Sequence, residues 1–144
     1  SFYLLETFYT YGRGELILEK LEFWKALVSQ GFKTPVEMPE PSRSDCHAWG
    51  AHPLFHMHAS LSGIRPASPG FTSVCIAPQP GGLTQLSSVL PHPDGEIRFS
   101  MKQHDTVWDV EVTLPDGLTG VLEWQQQSIA LQGSQQFELP VPQG

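Results

Sequence analysis

The chain has 144 residues, 40% of them hydrophobic and 16% charged, with 13 Gly, 13 Pro and a formal net charge of −7. That balance is globular and turn-rich, so it argues against intrinsic disorder, and the acidic surplus with no basic cluster argues against a nucleic-acid or anionic-membrane partner. Two cysteines, Cys46 and Cys75, could pair but form neither a disulfide framework nor a CxxC metal motif.

The first element, SFYLLETFY, reads as a helix that is apolar or aromatic nearly all round and lacks an evident cap. Such a helix suits the interior of a larger protein, and a fragment is expected. The segment has neither a basic n-region nor a small-residue cleavage site, so no signal peptide is legible, and no apolar run reaches the ~20 residues of a membrane span. Compartment stays open between cytoplasm and periplasm or secretion.

A second helix is expected over 15–30, where Ile17, Leu21, Trp24 and Val28 recur at helical steps and Glu19, Lys20, Glu22 and Lys25 fill the other faces. Gly14 opens it and Gly31 closes it at the position glycine favours after a helix. Residues 32–44 hold three prolines and form a loop. Helical periodicity resumes at Ala48 and runs through Leu54, Phe55 and Leu61 to Gly63.

After RPASPG (65–70) the pattern changes. TSVCIAP, EIRFSMKQH, VWDVEVTLP and LTGVLEW are short, rich in β-branched and aromatic residues and partly alternating, as strands are. PDG occurs at 93–95 and again at 115–117, each time between strand candidates, as a hairpin turn would be. Two further strand-like pieces lie in the polar tail, whose last few residues are expected to fray. The fold class is therefore α+β, helices first and then a small antiparallel β-sandwich, with a division into 1–66 and 67–144.

Chemistry concentrates at one joint, PSRSDCHAWGAHP (41–53). Glu37, Glu40, Arg43 and Asp45 lie on the loop, and His47 and Trp49 open the next helix. Carboxylates beside a histidine and an aromatic ring suit acid–base work on a sugar, whose apolar face the ring would stack on. Two plainer readings stand beside this one: Ser44 or Asp45 caps the following helix, and Arg43 pairs with Glu40. His52 and His56, spaced i, i+4 with His58 nearby, lack an intervening glutamate and an obvious third ligand, so no metal site is expected. Cys46 and His47 are adjacent and would not face each other on a helix, which disfavours a cysteine nucleophile. Trp108 and Trp124 lie in strand candidates and read as sandwich core, with stacking on a carbohydrate as the other option.

The stretch TPVEMPEPSRSDCHAWGAHP, followed by LSGIRPASPGF and IAPQ, resembles the end of bacterial and fungal α-L-rhamnosidases. The resemblance covers nearly the whole chain and is best from Gly31 to Pro80. It implies the last helices of an (α/α)6 catalytic toroid over 1–66 and a C-terminal β-sandwich over 67–144. By the same resemblance Glu37 is the general base of an inverting hydrolysis of terminal α-L-rhamnose. His47 contacts the rhamnose, and Trp49 and Asp45 belong to the pocket wall. Family members usually place an aromatic residue before the base, where this chain has Pro35-Val36. The family's general acid lies in an acidic, tryptophan-containing segment near the start of the toroid, which this chain lacks, so the isolated chain is expected to be inactive. The implied partners are a rhamnose-containing glycoside and the remainder of the catalytic domain. No cofactor is implied. Self-association of the isolated chain through the exposed faces of 2–11 and 15–30 is expected. A reading of a different class is a non-catalytic carbohydrate-binding or structural sandwich module.

Overall fold

A computed structural model describes residues 1–142; the final two residues of the tail expected to fray lie outside the described residues. The fold is α+β. Helix α1 (Phe2–Thr10) and helix α2 (Gly14–Ser29) are joined by a tight turn, and Gly31 follows α2 with φ +88°, the left-handed geometry expected of it. Leu5 and Ile17 pack with Leu61 into a small apolar cluster between the two helices and the segment before the sandwich. Val28, expected on the buried stripe, is 74% exposed, because the inward face at the end of α2 is held by Leu27 instead. None of the described helices is long and apolar enough to cross a membrane.

The helix expected from Ala48 to Gly63 is broken into three pieces: a 3₁₀ turn (Ala48–Ala51), a short helix α3 (Pro53–His56) and a π-helical turn (Met57–Leu61). Pro53 explains the first break, since it begins α3 where a missing N–H is tolerated. Gly63, at φ +70°, ends the run where a side chain has no room: a Cβ there would lie 2.0 Å from the Ala77 carbonyl oxygen. That close approach sets the junction, with the Ala77 N–H donating to the Gly63 oxygen at 3.0 Å.

Among the described residues eight strands follow: β1 (Ile64–Pro66), β2 (Ser73–Ile76), β3 (Gln85–His92), β4 (Gly95–His104), β5 (Val107–Thr113), β6 (Thr119–Trp124), β7 (Gln127–Gln132) and β8 (Ser134–Pro140). They form two four-stranded sheets, ordered β1-β2-β6-β7 and β3-β4-β5-β8. Ile97, Phe99 and Met101 on β4 and Trp108, Val110 and Val112 on β5 alternate inward and meet Val74, Ile76, Leu122 and Leu131 of the other sheet, which makes this a sandwich with one core. Trp108 and Trp124 are both buried in it, with ring centroids 6.4 Å apart. The first strand, Ile64–Pro66, lies at the end of the 1–66 segment and pairs antiparallel with β2 of the sandwich.

Three features differ from the sequence reading. The sandwich is not wholly antiparallel, because β2 and β6 pair in parallel, the chain between them having built most of the other sheet. Strand β3 has no counterpart among the expected strands: it is an edge strand with two serines and Pro91, polar enough to hide its pattern. The first PDG does close a hairpin, with His92 opposite Gly95, but the second carries the chain from one sheet to the other between Thr113 and Thr119. Buried Leu114 and Leu118 flank that second turn and draw it across the core edge.

Candidate functional site

The loop between α2 and the 3₁₀ turn is folded back on itself. The Glu37 N–H donates to the Ser44 oxygen at 2.9 Å and the His47 N–H donates to the Pro35 oxygen at 2.8 Å. Thr34 Oγ1 donates to the Asp45 oxygen across the same pair of segments. Val36, between the two backbone bonds, is buried and pins the loop to the body. Gly50 allows that contact, since a Cβ on it would meet the Val36 oxygen at 2.6 Å. Trp24 of α2 closes the arrangement by donating from Nε1 to the Gly50 oxygen at 2.7 Å. Neither Ser44 nor Asp45 caps a helix; the residue preceding the 3₁₀ turn is His47, in extended conformation.

The result is a cleft of about 430 Å³ lined by the loop, the 3₁₀ turn and the outer surfaces of α1 and α2. Glu37, His47 and Trp49 all line it, and Trp49 is 64% exposed. Asp45 is exposed and is not part of this lining; what it contributes to the loop is its backbone carbonyl. Lys20 and Trp24, one helical turn apart on α2, and Phe2 of α1 complete the wall. Sequence reasoning assigned none of these three to the site, although the i, i+4 spacing of Lys20 and Trp24 places them on one face.

Glu37 is the carboxylate among the residues lining the cleft. Arg43 Nε donates to Oε2 at 2.9 Å and Nη2 donates to Oε1, so the pairing of Arg43 is with Glu37 and not with Glu40. Glu40 instead accepts from the Ser42 N–H at 3.0 Å. The Arg43 guanidinium holds the Glu37 carboxyl below the ordinary glutamate range, His47 acts in the same direction, and partial burial opposes both. Glu37 is thus an ionised carboxylate in a cleft that a histidine and an exposed indole also line, an arrangement able to accept a proton and to hold a ligand with one apolar face.

Behind the cleft lies a second polar group. Arg65 donates from Nη1 and Nη2 to the two Glu6 oxygens at 3.0 and 2.8 Å, from Nε to the Ala59 oxygen at 2.7 Å, and stacks on the Tyr9 ring at 3.9 Å. His56, fully buried, faces Glu6 and bonds Ser60 Oγ at 3.0 Å through Nδ1. Burial pushes its pKa down to about 4, so it is neutral. The rings of His52 and His56 meet edge to face at 5.5 Å, and among the described residues no three His, Cys, Asp or Glu side chains gather as a metal-binding group. Both cysteines are free, Cys46 exposed and Cys75 half-buried.

These features define an α+β chain in which a carboxylate-bearing helical cleft precedes an eight-stranded sandwich. Residues 63–136 match the model of the bacterial alpha-L-rhamnosidase C-terminal domain, and the chain belongs to that family. No curated protein sequence matches it. Among solved structures it is similar to an alpha-L-rhamnosidase from Dictyoglumus thermophilum, with 15% identity and a TM-score of 0.66 over 80% of this chain and 17% of that one. It is similar to the enzyme from Aspergillus terreus (17% identity, TM-score 0.66, 81% of this chain and 15% of that one). It is also similar to the enzyme from Streptomyces avermitilis complexed with L-rhamnose (19% identity, TM-score 0.65, 81% of this chain and 14% of that one). The chain therefore spans about a sixth of the length of these enzymes.

Proposed function

We propose that this chain is the C-terminal part of an inverting α-L-rhamnosidase, in which residues 1–66 close an (α/α)6 toroid and residues 67–144 form the sandwich that packs on it. Glu37 is the general base. It takes a proton from the water that attacks the anomeric carbon of a terminal non-reducing α-L-rhamnose. His47 contacts the sugar and Trp49 supplies a stacking face, while Asp45, outside the cleft lining, serves the loop through its backbone carbonyl. The observation that carries this reading is the shared cleft, which an ionised Glu37, His47 and an exposed indole line together. Inversion needs a second carboxyl group about 6.5–9.5 Å away across the sugar, so that a water fits between. That acid comes from the remainder of the catalytic domain, and the isolated chain is inactive without it.

The test is release of p-nitrophenol from p-nitrophenyl α-L-rhamnoside by the chain alone and by the complete enzyme, each as wild type and as Glu37→Gln. The expected outcome is a silent chain and a complete enzyme that loses about 10²–10⁴-fold in kcat on substitution. NMR of the freshly released rhamnose reads the inversion. Full activity of the Glu37→Gln enzyme would remove Glu37 from the base role. It would leave the chain as a carbohydrate-binding or structural module.

A further inference from the structure

Arg43 stands outside the cleft, yet it makes the tightest contacts with the one carboxylate inside it. Its side chain is 80% exposed whereas that of Glu37 is only 17% exposed, so the guanidinium reaches in from solvent and grips a group that is mostly enclosed. The grip is two-pronged, with Nε on Oε2 and Nη2 on Oε1, and a planar fork of this kind fixes a carboxylate's orientation as well as attracting its charge. Loop geometry makes the pairing specific. The Glu37–Ser44 backbone bond sets Arg43 next to the residue opposite Glu37, and the competing Glu40 is occupied by the Ser42 N–H.

We propose that Arg43 is a positioning residue for Glu37, holding the carboxylate from the solvent side so that its remaining lone pairs face the cleft. A carboxylate offers about four acceptor sites. Two are taken by Arg43, and one on each oxygen stays open for a water or a sugar hydroxyl. The other charged or titratable groups lining the same cleft are His47 from the loop, Lys20 from α2, His52 before α3, and the amino group of Ser1. None of these hydrogen-bonds the Glu37 carboxylate among the described residues, so its orientation rests on Arg43. An ion pair with one partner this exposed adds little to folding. Its consequence is the direction and the protonation state of the carboxylate. The part of the inference that concerns turnover rests on Glu37 being the base; the grip itself does not.

The experiment has two arms. In the first, the chain carrying ¹³C-labelled glutamate is titrated by NMR as wild type, Arg43→Lys and Arg43→Gln. Glu37 is expected to titrate below the ordinary glutamate value in the wild type, to move up in Arg43→Gln, and to fall between in Arg43→Lys, which keeps the charge and loses the fork. Equal titration in all three refutes the grip. In the second, the complete enzyme with Arg43→Gln is expected to show the acid limb of its kcat/KM profile displaced to higher pH and kcat reduced on the order of tenfold, with an unchanged melting temperature. An unmoved limb and unchanged kcat overturn the positioning role even if the NMR shift is present. Should the Glu37→Gln enzyme keep its activity, the base assignment falls, while the first arm still decides the grip.

Discussion

Replacing Arg65 with Met removes the strut that ties α1 to the entrance of the sandwich. The wild-type side chain makes two charge-assisted hydrogen bonds to Glu6, one to the Ala59 carbonyl and one to Ser60 Oγ at 3.2 Å, and lies over Tyr9. Hydrogen bonds to charged groups contribute about 1.5–3 kcal/mol, and a cation over a ring adds about 1. The Arg65 and Glu6 side chains are 25% and 29% exposed, so water recovers part of this loss. Methionine also keeps part of the apolar contact. The net expectation is a destabilisation of about 3 kcal/mol, read by urea denaturation at neutral pH with tryptophan fluorescence and far-UV circular dichroism. A double-mutant cycle with Glu6→Gln should give a coupling of about 1–2 kcal/mol. The acid dependence supplies an independent check. The Glu6 pKa is lowered, chiefly by its hydrogen bonds from Arg65, so its stabilising contribution is present above the unfolded glutamate value and lost as pH falls through the lower folded value. The Arg65→Met variant should lack that segment of the pH curve. A loss below about 0.5 kcal/mol together with zero coupling would show that the pair behaves as a surface contact, and the strut would have to be abandoned.

His56 makes a separate pH window. Its folded value of about 4 lies below the unfolded 6.5, so the unfolded chain binds the extra proton, and stability should fall by about 3 kcal/mol as pH drops from 6.5 to 4. Denaturation midpoints across that range should flatten in His56→Gln, and an unchanged slope would mean that the imidazole is solvated in the folded state. Gly63→Ala combines a left-handed φ with a Cβ 2.0 Å from the Ala77 oxygen, so a loss of more than about 3 kcal/mol or failure to accumulate folded chain is expected. A melting temperature equal to wild type would show that the junction can open. Tyr3, Leu4, Val28, Leu54, Phe55 and Met57 are exposed on the helical part, and sedimentation velocity of the isolated chain should show concentration-dependent association. A single monomeric boundary at high concentration would contradict it. Substituting Tyr3 and Leu4 with Lys should weaken the association without unfolding the sandwich, whose core they do not touch.

Much of the fold is local and could be read along the chain. The helical period of α2, its glycine stop and the alternation of β4 and β5 are properties of short segments, in which side-chain spacing alone decides which face is apolar. The motif TPVEMPEPSRSDCHAW likewise gathers Glu37, His47 and Trp49 within thirteen residues of one joint, and the three line one cleft. What escaped was non-local. Strand β3 is stabilised by pairing with β4 along its whole length, from Gln85 opposite Lys102 to His92 opposite Gly95, and its own residues carry little strand character. The parallel pairing of β2 with β6 joins segments more than forty residues apart, and no spacing within either predicts it.

The loop shows the same division at the scale of single residues. Its composition determined that a carboxylate, a histidine and an indole would lie near a helix start. Which carboxylate Arg43 would take was decided only by the backbone bonds from Glu37 to Ser44 and from His47 to Pro35, which fold the loop so that Glu37 faces the guanidinium. Tertiary structure also brought Lys20 and Phe2 to the cleft wall and left Asp45 outside it. Residue types and local periods are written in the chain itself. The pairing of charges across a loop depends on distances in space, and those exist only once the buried Val36 and the close approach at Gly50 have set the loop against the helices.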